Sequence, residues 1–310
     1  MSRILTLTLN PCIDKTIWID KLIPNEKLKA KHPEDEAGGG GINVSRAMKY
    51  LGKSSKALFF NGGLNGAHFK QLVKDDGVDF EEISIEGTTR MNIMLIDEST
   101  TLEYRIGMQG PSISEREIDN LLTVLSKQKD YDFLVASGSL APNIPDDIFG
   151  KIAIIVASHN AKFILDTSGK ALQNAIHEKI FLLKPNLNEL SNLCGVKEDA
   201  SIEEILQATQ NLLSKINCTA IVVSLGKDGA IMVTAAECHH IISPKVEVKS
   251  TVGAGDCMVA GMTIALSQNK PWKEVLQYGI ACGTAATLNS GRGLCKQEDV
   301  ERLLMELRKE

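Results

Sequence analysis

The chain has 310 residues, a formal net charge of -5 and 24% charged residues. That suits one large α/β domain, or one domain plus a small appendage, with ample core and, with no Lys/Arg-rich run, excludes an electrostatic footprint for nucleic acid or a membrane surface. Seven cysteines, at positions 12, 194, 218, 238, 257, 282 and 295, are odd in number and form no Cys-x-x-Cys pair, which argues against a disulfide framework and structural zinc and for a reducing, cytoplasmic setting.

No apolar run approaches membrane-spanning length, and the opening alternation Ile4-Leu5-Thr6-Leu7-Thr8-Leu9 is too short and too polar for a signal-peptide core. Residues 3–9 instead read as a first strand, ended by Asn10-Pro11, where proline lacks an N–H and fixes φ. Lys15 to Lys21 alternates polar and apolar residues like a strand with one face covered. Then Gly38-Gly39-Gly40-Gly41-Ile42-Asn43-Val44-Ser45-Arg46 leads into Val44, Ala47, Met48 and Leu51 at helical spacing, with Gly52 as the stop. Consecutive glycines let backbone approach a ligand, and Asn43, a poor helix former at a helix start, offers a donor and acceptors that suit a sugar hydroxyl. The competing reading is a flexible loop.

Lys56 to Phe60 predicts a strand and His68 to Lys74 a helix. Arg90 to Ile96 and Thr101 to Ile106 predict two more strands joined by a polar turn at Asp97-Glu98-Ser99-Thr100; with residues 15–35 they make a small separate sheet carrying Arg90 and Arg105. Those arginines read equally well as solvated surface. Ser114 with Glu117 predicts a capping box, followed by the buried stripe Ile118, Leu121, Leu122 and Leu125. Short apolar runs then alternate with helical patterns: Phe133 to Ala136, Phe163 to Asp166, Phe181 to Lys184 and Ala220 to Leu225, with a Ser201/Glu204-capped helix through Leu213. This alternation predicts a parallel sheet covered on both faces, in which ligands bind past the carboxyl ends of the strands. Ser139, Asp166, Lys184-Pro185-Asn186, Glu189 and Gly226 fall there.

Ser250-Thr251-Val252-Gly253-Ala254-Gly255-Asp256-Cys257-Met258 puts glycines, a carboxylate and a helix start within one turn, because Val259, Met262, Ala265 and Leu266 follow at helical spacing. The first N–H groups of that helix have no partner within it, and Gly253 and Gly255 lack β-carbons that would keep a phosphate away. A carboxylate there opposes phosphate binding unless it takes a proton from an incoming hydroxyl, which makes Asp256 a candidate general base; otherwise it only complements the helix dipole. A last helix runs from Pro271 to Asn289 and ends in Ser290-Gly291-Arg292-Gly293. No Walker A loop is present, since Ala47 stands where Gly52-Lys53-Ser54 needs its first glycine, and no Gly-x-Gly-x-x-Gly follows the first strand.

The Gly38–Arg46 loop and the Thr251–Asp256 stretch together resemble the two signatures of the ribokinase-like (PfkB) carbohydrate kinases, over essentially the whole chain. Thr8-Leu9-Asn10-Pro11, Ser137-Gly138-Ser139-Leu140, Lys184-Pro185-Asn186 with Glu189, and Val223-Ser224-Leu225-Gly226 resemble its phosphosugar branch. The four-glycine loop, Glu103-Tyr104-Arg105 and Ala286-Thr287-Leu288-Asn289 are most similar to the minor-type bacterial 6-phosphofructokinase subfamily. The resemblance implies an α/β fold for residues 1–310, a ribokinase-like three-layer sandwich with a mostly parallel sheet covered by helices on both faces. A small β-sheet lid would be built from about 12–36 and 86–110. It implies a homodimer through that lid, and a glycolytic reaction: ATP-dependent phosphorylation of fructose 6-phosphate at its 1-hydroxyl. Fructose 1-phosphate and tagatose 6-phosphate are the alternative acceptors.

By the same resemblance Asp256 is the base, and the N–H groups of Gly253, Ala254 and Gly255 stabilise charge on the transferred phosphoryl group. Asp14, Gly39 and Asn43 hold sugar hydroxyls; Lys27, Arg90, Arg105 and Ser139 surround the sugar and its phosphate. Lys184, Asn186, Ser224, Gly226, Gly229 and Gly283 line the ATP site, Asn186 and Glu189 organise Mg²⁺ through water, and Ser250, Val252, Ala286, Asn289 and Gly291 hold K⁺. The chain departs from a compared relative at Gln109 in Met108-Gln109-Gly110, at Leu140-Ala141-Pro142-Asn143 in place of Pro-Pro-Gly, and at Arg292, one place early in its turn. A sugar-phosphate sensor without activity would be marked by loss of Asp256 or its glycines, and all are present; a dinucleotide oxidoreductase lacks its fingerprint.

Overall fold

The computed structural model describes residues 3–289 and 293–309. β1 (Ile4–Thr8) ends just before Asn10-Pro11 and the chain passes into β2 (Cys12–Ile19), β3 (Lys31–Gly38) and helix α1 (Gly40–Tyr50). β4 (Lys56–Asn61), α2 (Gly63–Asp75) and β5 (Asp79–Ser84) precede β6 (Arg90–Asp97) and β7 (Leu102–Ile106). The second half alternates through α3 (Glu115–Lys127), β8 (Phe133–Ser137), α4 (Ile148–Ser158), β9 (Lys162–Asp166), α5 (Gly169–Ala175), β10 (Ile180–Leu183), α6 (Leu187–Cys194) and α7 (Ile202–Leu213). It continues with β11 (Cys218–Ser224), β12 (Ala230–Thr234), β13 (Cys238–Ile241), α8 (Ala254–Ser267), α9 (Trp272–Thr287) and α10 (Gln297–Leu307).

The capping boxes read at Ser114/Glu117 and Ser201/Glu204 both form, and Asn186/Glu189 makes a third. Helix α2 starts at Gly63, ahead of the expected His68, because Gly63-Leu64-Asn65-Gly66 shows no apolar period although Gly66 packs on Asn61. Strand β5, Asp-Phe-Glu-Glu-Ile-Ser, was hidden by its acidic residues, which suit the sheet edge it occupies.

Nine strands form one sheet in the order β13-β12-β11-β10-β9-β8-β1-β4-β5, parallel except for the β11-β12-β13 meander at one edge. Its alternate side chains feed two cores. Ile4, Phe133, Val135, Ile164 and Leu182 pack with α1, α8, α9 and α10, while Leu5, Leu7, Leu134, Leu165 and Leu183 pack with α3, α4, α5, α6 and α7. The sandwich therefore has three layers. The winding direction reverses at β1, between β4 and β8, which makes the carboxyl ends of β1 and β8 the switch point where such sheets bind ligands.

The remaining strands form a separate sheet in the order β3-β2-β6-β7. Directly paired residues share a face, so Asp14, Asn92, Arg105 and Glu36 lie on one side, as the pairs Asp14↔Glu36, Asp14↔Asn92, Thr16↔Met94 and Met94↔Arg105 require. Ile17, Ile93, Leu95, Tyr104 and Ile106 lie on the other, and Leu102, Tyr104 and Ile106 are exposed. The root of this sheet is tied to the body by a third core, where Ile13 and Ala37 join Ile42, Ala57, Phe59, Phe69 and Val73. Phe69 and Phe59 meet edge to face, 5.1 Å between centroids. Phe69→Ala is expected to cost about 3–5 kcal/mol, the usual loss for truncating a fully buried phenylalanine, read as a lower midpoint in urea unfolding.

Candidate active site

Helix α8 opens on Gly253, whose φ of +74° is left-handed, and no side chain caps it. The free end comes from sequence: glycine accepts the left-handed turn and offers no side chain to occupy the amides. Asp256, in the first turn, sends its carboxylate elsewhere. Asn43 Nδ2 donates to Asp256 Oδ2 at 2.9 Å and Ser137 Oγ donates to Oδ1 at 3.1 Å. Burial pushes the Asp256 carboxyl up to about 6; the charge of Asp166 adds to the rise, and the bonds from Asn43 and Ser137 and the Lys184 ammonium oppose it.

Asn43 reaches that carboxylate because of how the glycines before it pack. A β-carbon at Gly40 would lie 2.3 Å from Ser137 Oγ and 2.6 Å from Gly138 N, and one at Gly41 2.4 Å from the Leu7 carbonyl. The start of α1 is therefore pressed onto the ends of β1 and β8, and Gly39 makes the corner with φ +109°. Asp14 is buried beside this corner, its Oδ1 accepting from Asn92 Nδ2 at 2.8 Å, and a β-carbon at Gly38 would collide with its Oδ2.

Beyond Gly255 lies a second charge cluster. Lys184 Nζ is 3.1 Å from Asp166 Oδ1 and is buried. A β-carbon on Gly255 would be 3.8 Å from it, so the ammonium faces the start of α8. Burial works against the Lys184 charge, but Asp166, followed by Glu189 and Asp256, outweighs it and holds the ammonium above the ordinary lysine range. Burial likewise raises Glu189, opposed by the Asn186 amide, which donates to Glu189 Oε2 at 2.8 Å in the capping box. Three carboxylates around one ammonium leave excess negative charge, which fits a divalent cation. Among the described residues no group of three or more His, Cys, Asp or Glu is placed to hold a metal ion by itself.

The other expected positions divide. Ser224, Gly226, Gly229 and Gly283 come together with Ala254, Gly255, Thr251, Val246, Met258 and Ile280 around a mostly apolar cavity of about 510 Å³ that opens onto the start of α8. Ser250 is buried, with Lys249 N bonded to the Thr287 carbonyl at 2.8 Å, which brings Ser250 and Val252 to the carboxyl end of α9 with Ala286 and Asn289. The Asn289 amide donates to the carbonyls of Ala285 and Leu294. A loop and a helix end rich in carbonyls is a suitable donor set for a monovalent cation; Gly291, with Arg292, lies outside the described residues.

On the sugar side, Arg90 donates to the carbonyls of Met108 at 2.9 Å and Asn10 at 3.0 Å, leaving its buried Nε without a partner among the described residues. Ser139 is exposed and accepts weakly from Asn10. Lys27 is exposed in the loop between β2 and β3, and Arg105 on edge strand β7 pairs with Glu103 at 3.0 Å. An exposed pair of this kind is worth at most about 1 kcal/mol, so an arriving dianion can displace Glu103. Asp166, expected past a strand end, is there beside Lys184; Ser137, Asn10 and Asn92 were given no site role, and their signals are positions at strand ends or a register that only pairing reveals.

The sequence profile of the pfkB family carbohydrate kinases matches residues 7–299. The ATP-dependent 6-phosphofructokinase isozyme 2 of Escherichia coli is 36% identical, covering 98% of each chain. A 1-phosphofructokinase of Borreliella burgdorferi is 35% identical over 99% of this chain and 98% of its own. The crystal structure of E. coli phosphofructokinase-2 in complex with potassium superposes with a TM-score of 0.94 at 35% identity, over 99% of this chain and 100% of that one.

Asp256→Asn removes a charge that the folded state resists. Because the folded carboxyl titrates near 6, above about 3.9 when unfolded, the wild type carries the full penalty above pH 6 and sheds it as pH falls toward 4. The variant is expected to melt at or above the wild-type Tm at about pH 8, with the difference shrinking by about pH 5, measured by calorimetry.

Proposed function

The chain belongs to the pfkB family of carbohydrate kinases, and from that premise we propose that it transfers the γ-phosphoryl group of ATP to the 1-hydroxyl of fructose 6-phosphate, giving fructose 1,6-bisphosphate and ADP. It is a sugar-phosphate kinase whose family works with ATP and Mg²⁺. The observation that supports phosphoryl transfer to a sugar hydroxyl is the Asp256 carboxylate held by Asn43 and Ser137 at the uncapped start of α8; the choice of fructose 6-phosphate rests on the likeness to relatives named 6-phosphofructokinase.

Asp256 accepts the proton of the 1-hydroxyl as that oxygen attacks phosphorus; a carboxyl titrating near 6 is a better base than an ordinary aspartate and still ionised at neutral pH. The N–H groups of Gly253, Ala254 and Gly255 face the oxygens on which charge develops, with Lys184 beside them. Asp14, Gly39 and Asn43 orient the sugar hydroxyls, while Lys27, Arg90, Arg105 and Ser139 receive the sugar phosphate. Lys184, Asn186, Ser224, Gly226, Gly229 and Gly283 hold the nucleotide. Glu189 with Asn186 would hold Mg²⁺ through its water shell, and the ion would supply charge that neutralises the phosphates. Ser250, Val252, Ala286 and Asn289, with Gly291 outside the described residues, would hold K⁺, which would supply positive charge near the start of α8; a relative crystallised with potassium supports this.

The small sheet, residues 12–36 and 86–110 with their links, acts as a lid, and its exposed Leu102, Tyr104 and Ile106 are covered by the same face of a second copy in a homodimer. Among the described residues no helix is long and apolar enough to cross a membrane.

Coupled ADP release with fructose 6-phosphate, fructose 1-phosphate, tagatose 6-phosphate and unphosphorylated sugars tests the acceptor. The highest kcat/KM is expected for fructose 6-phosphate, and a clear preference for another acceptor overturns that choice. Asp256→Asn is expected to bind both substrates while losing about 10²–10⁴-fold in kcat; near-normal turnover would remove Asp256 from the base role.

A further inference from the structure

Arg46, on α1 one turn beyond Asn43, is among the most buried charges of the chain, with 4% of its side chain exposed. Its guanidinium is divided between the two sheets' supports. Nη1 donates to the Ala37 carbonyl at 2.9 Å and Nη2 to Glu36 Oε1 at 2.8 Å, both on β3 of the small sheet. Nε lies 2.6 Å from Asp76 Oδ2, at the carboxyl end of α2 in the body, although its N–H is not aimed along that contact. Burial disfavours the charge, yet Asp76 and then Glu36 more than compensate.

The position of this contact gives it a consequence beyond stability. Glu36 pairs with Asp14 across β2 and β3, and two residues after Glu36 the chain turns at Gly38-Gly39 into the helix that carries Asn43. From α1, Arg46 reaches back over that corner to bind β3, while Asp76 at the end of α2 holds it from the body. The angle between β3 and α1 is therefore set by the guanidinium fork, and with it the relation of Asp14 to Asn43 and of Asn43 to Asp256, which are 2.9 Å apart. A planar fork with separate donors fixes such an angle; a lysine ammonium at the same place satisfies charge without it.

We propose that Arg46 is a positioning residue that sets the small sheet against Asp256, acting on the sugar side of the site and not on the nucleotide side. This rests on the reading of Asp14 and Asn43 as sugar contacts. Arg46→Lys and Glu36→Gln are expected to raise the KM for the phosphosugar about tenfold, with the KM for ATP within about twofold of wild type. Asp76→Asn, which removes the body-side carboxylate of the same guanidinium, is expected to lower Tm and leave the sugar KM in place. Glu36 is partly exposed, so its variant keeps the test open if substitutions at Arg46 fail to fold. The proposal is overturned if Glu36→Gln leaves the sugar KM unchanged, or if both KM values rise together. The acceptor used is the one the wild type prefers in the panel, so a mistaken acceptor is seen in the wild type and does not enter the Arg46 comparison.

Discussion

The hydrogen bond from Asn43 to Asp256 joins parts of the chain more than two hundred residues apart, and most of the molecule's architecture serves to make it possible. It requires α1 to begin against the ends of β1 and β8, which only glycine at positions 40 and 41 permits. It requires α8 to start with bare amides, so that the carboxylate in its first turn points across to α1 and leaves the helix end open. Both helices then share one core with α9 and α10 on the same face of the sheet. A contact worth about 1 kcal/mol in itself could not hold these elements together; they are held by hydrophobic burial, and the contact reports that they have arrived.

Around that bond the electrostatics are arranged by scarcity of positive charge. Asp166, Glu189 and Asp256 share Lys184; burial lifts Asp256 and Glu189 from their ordinary ranges, and the neighbouring charge of Asp166 adds to the rise. Lys184 meanwhile stays charged because its neighbours make neutralisation unfavourable, which suits a group facing transferred phosphate.

Much of this was readable in the residues. The capping boxes at Ser114 and Ser201, the glycine entry at 38–41 and the helix start at 253–256 are local chemistry, and local chemistry survives into the fold. Asn43 was suspect because asparagine gains little inside a helix start, and it does have another partner. What escaped was set by pairing. Strand β3 contains Pro33 and a run of acidic residues, poor strand material that is tolerated because it forms an edge. After the turn Gly226-Lys227-Asp228-Gly229, strands β12 and β13 run antiparallel at the end of a parallel series, a direction that apolar runs alone do not reveal. Ser137 looked like an ordinary serine at a strand end, and the common face of Asp14, Asn92 and Arg105 exists only through strand register. Arg90 places its terminal nitrogens on the carbonyls of Asn10 and Met108, contacts that only the folded chain brings within reach.

Those two carbonyls matter for another reason. The polypeptide crosses between the body and the small sheet four times, near residues 10, 39, 87 and 109, and the Arg90 side chain stitches the first, third and fourth crossings together. A plate attached at a single point can twist and slide, but one attached along a row of points can only swing. The small sheet is thus anchored along a row of points, and register keeps Asp14, Arg90 and Arg105 at a fixed spacing on one of its faces, so that the sheet presents them to the body as one unit.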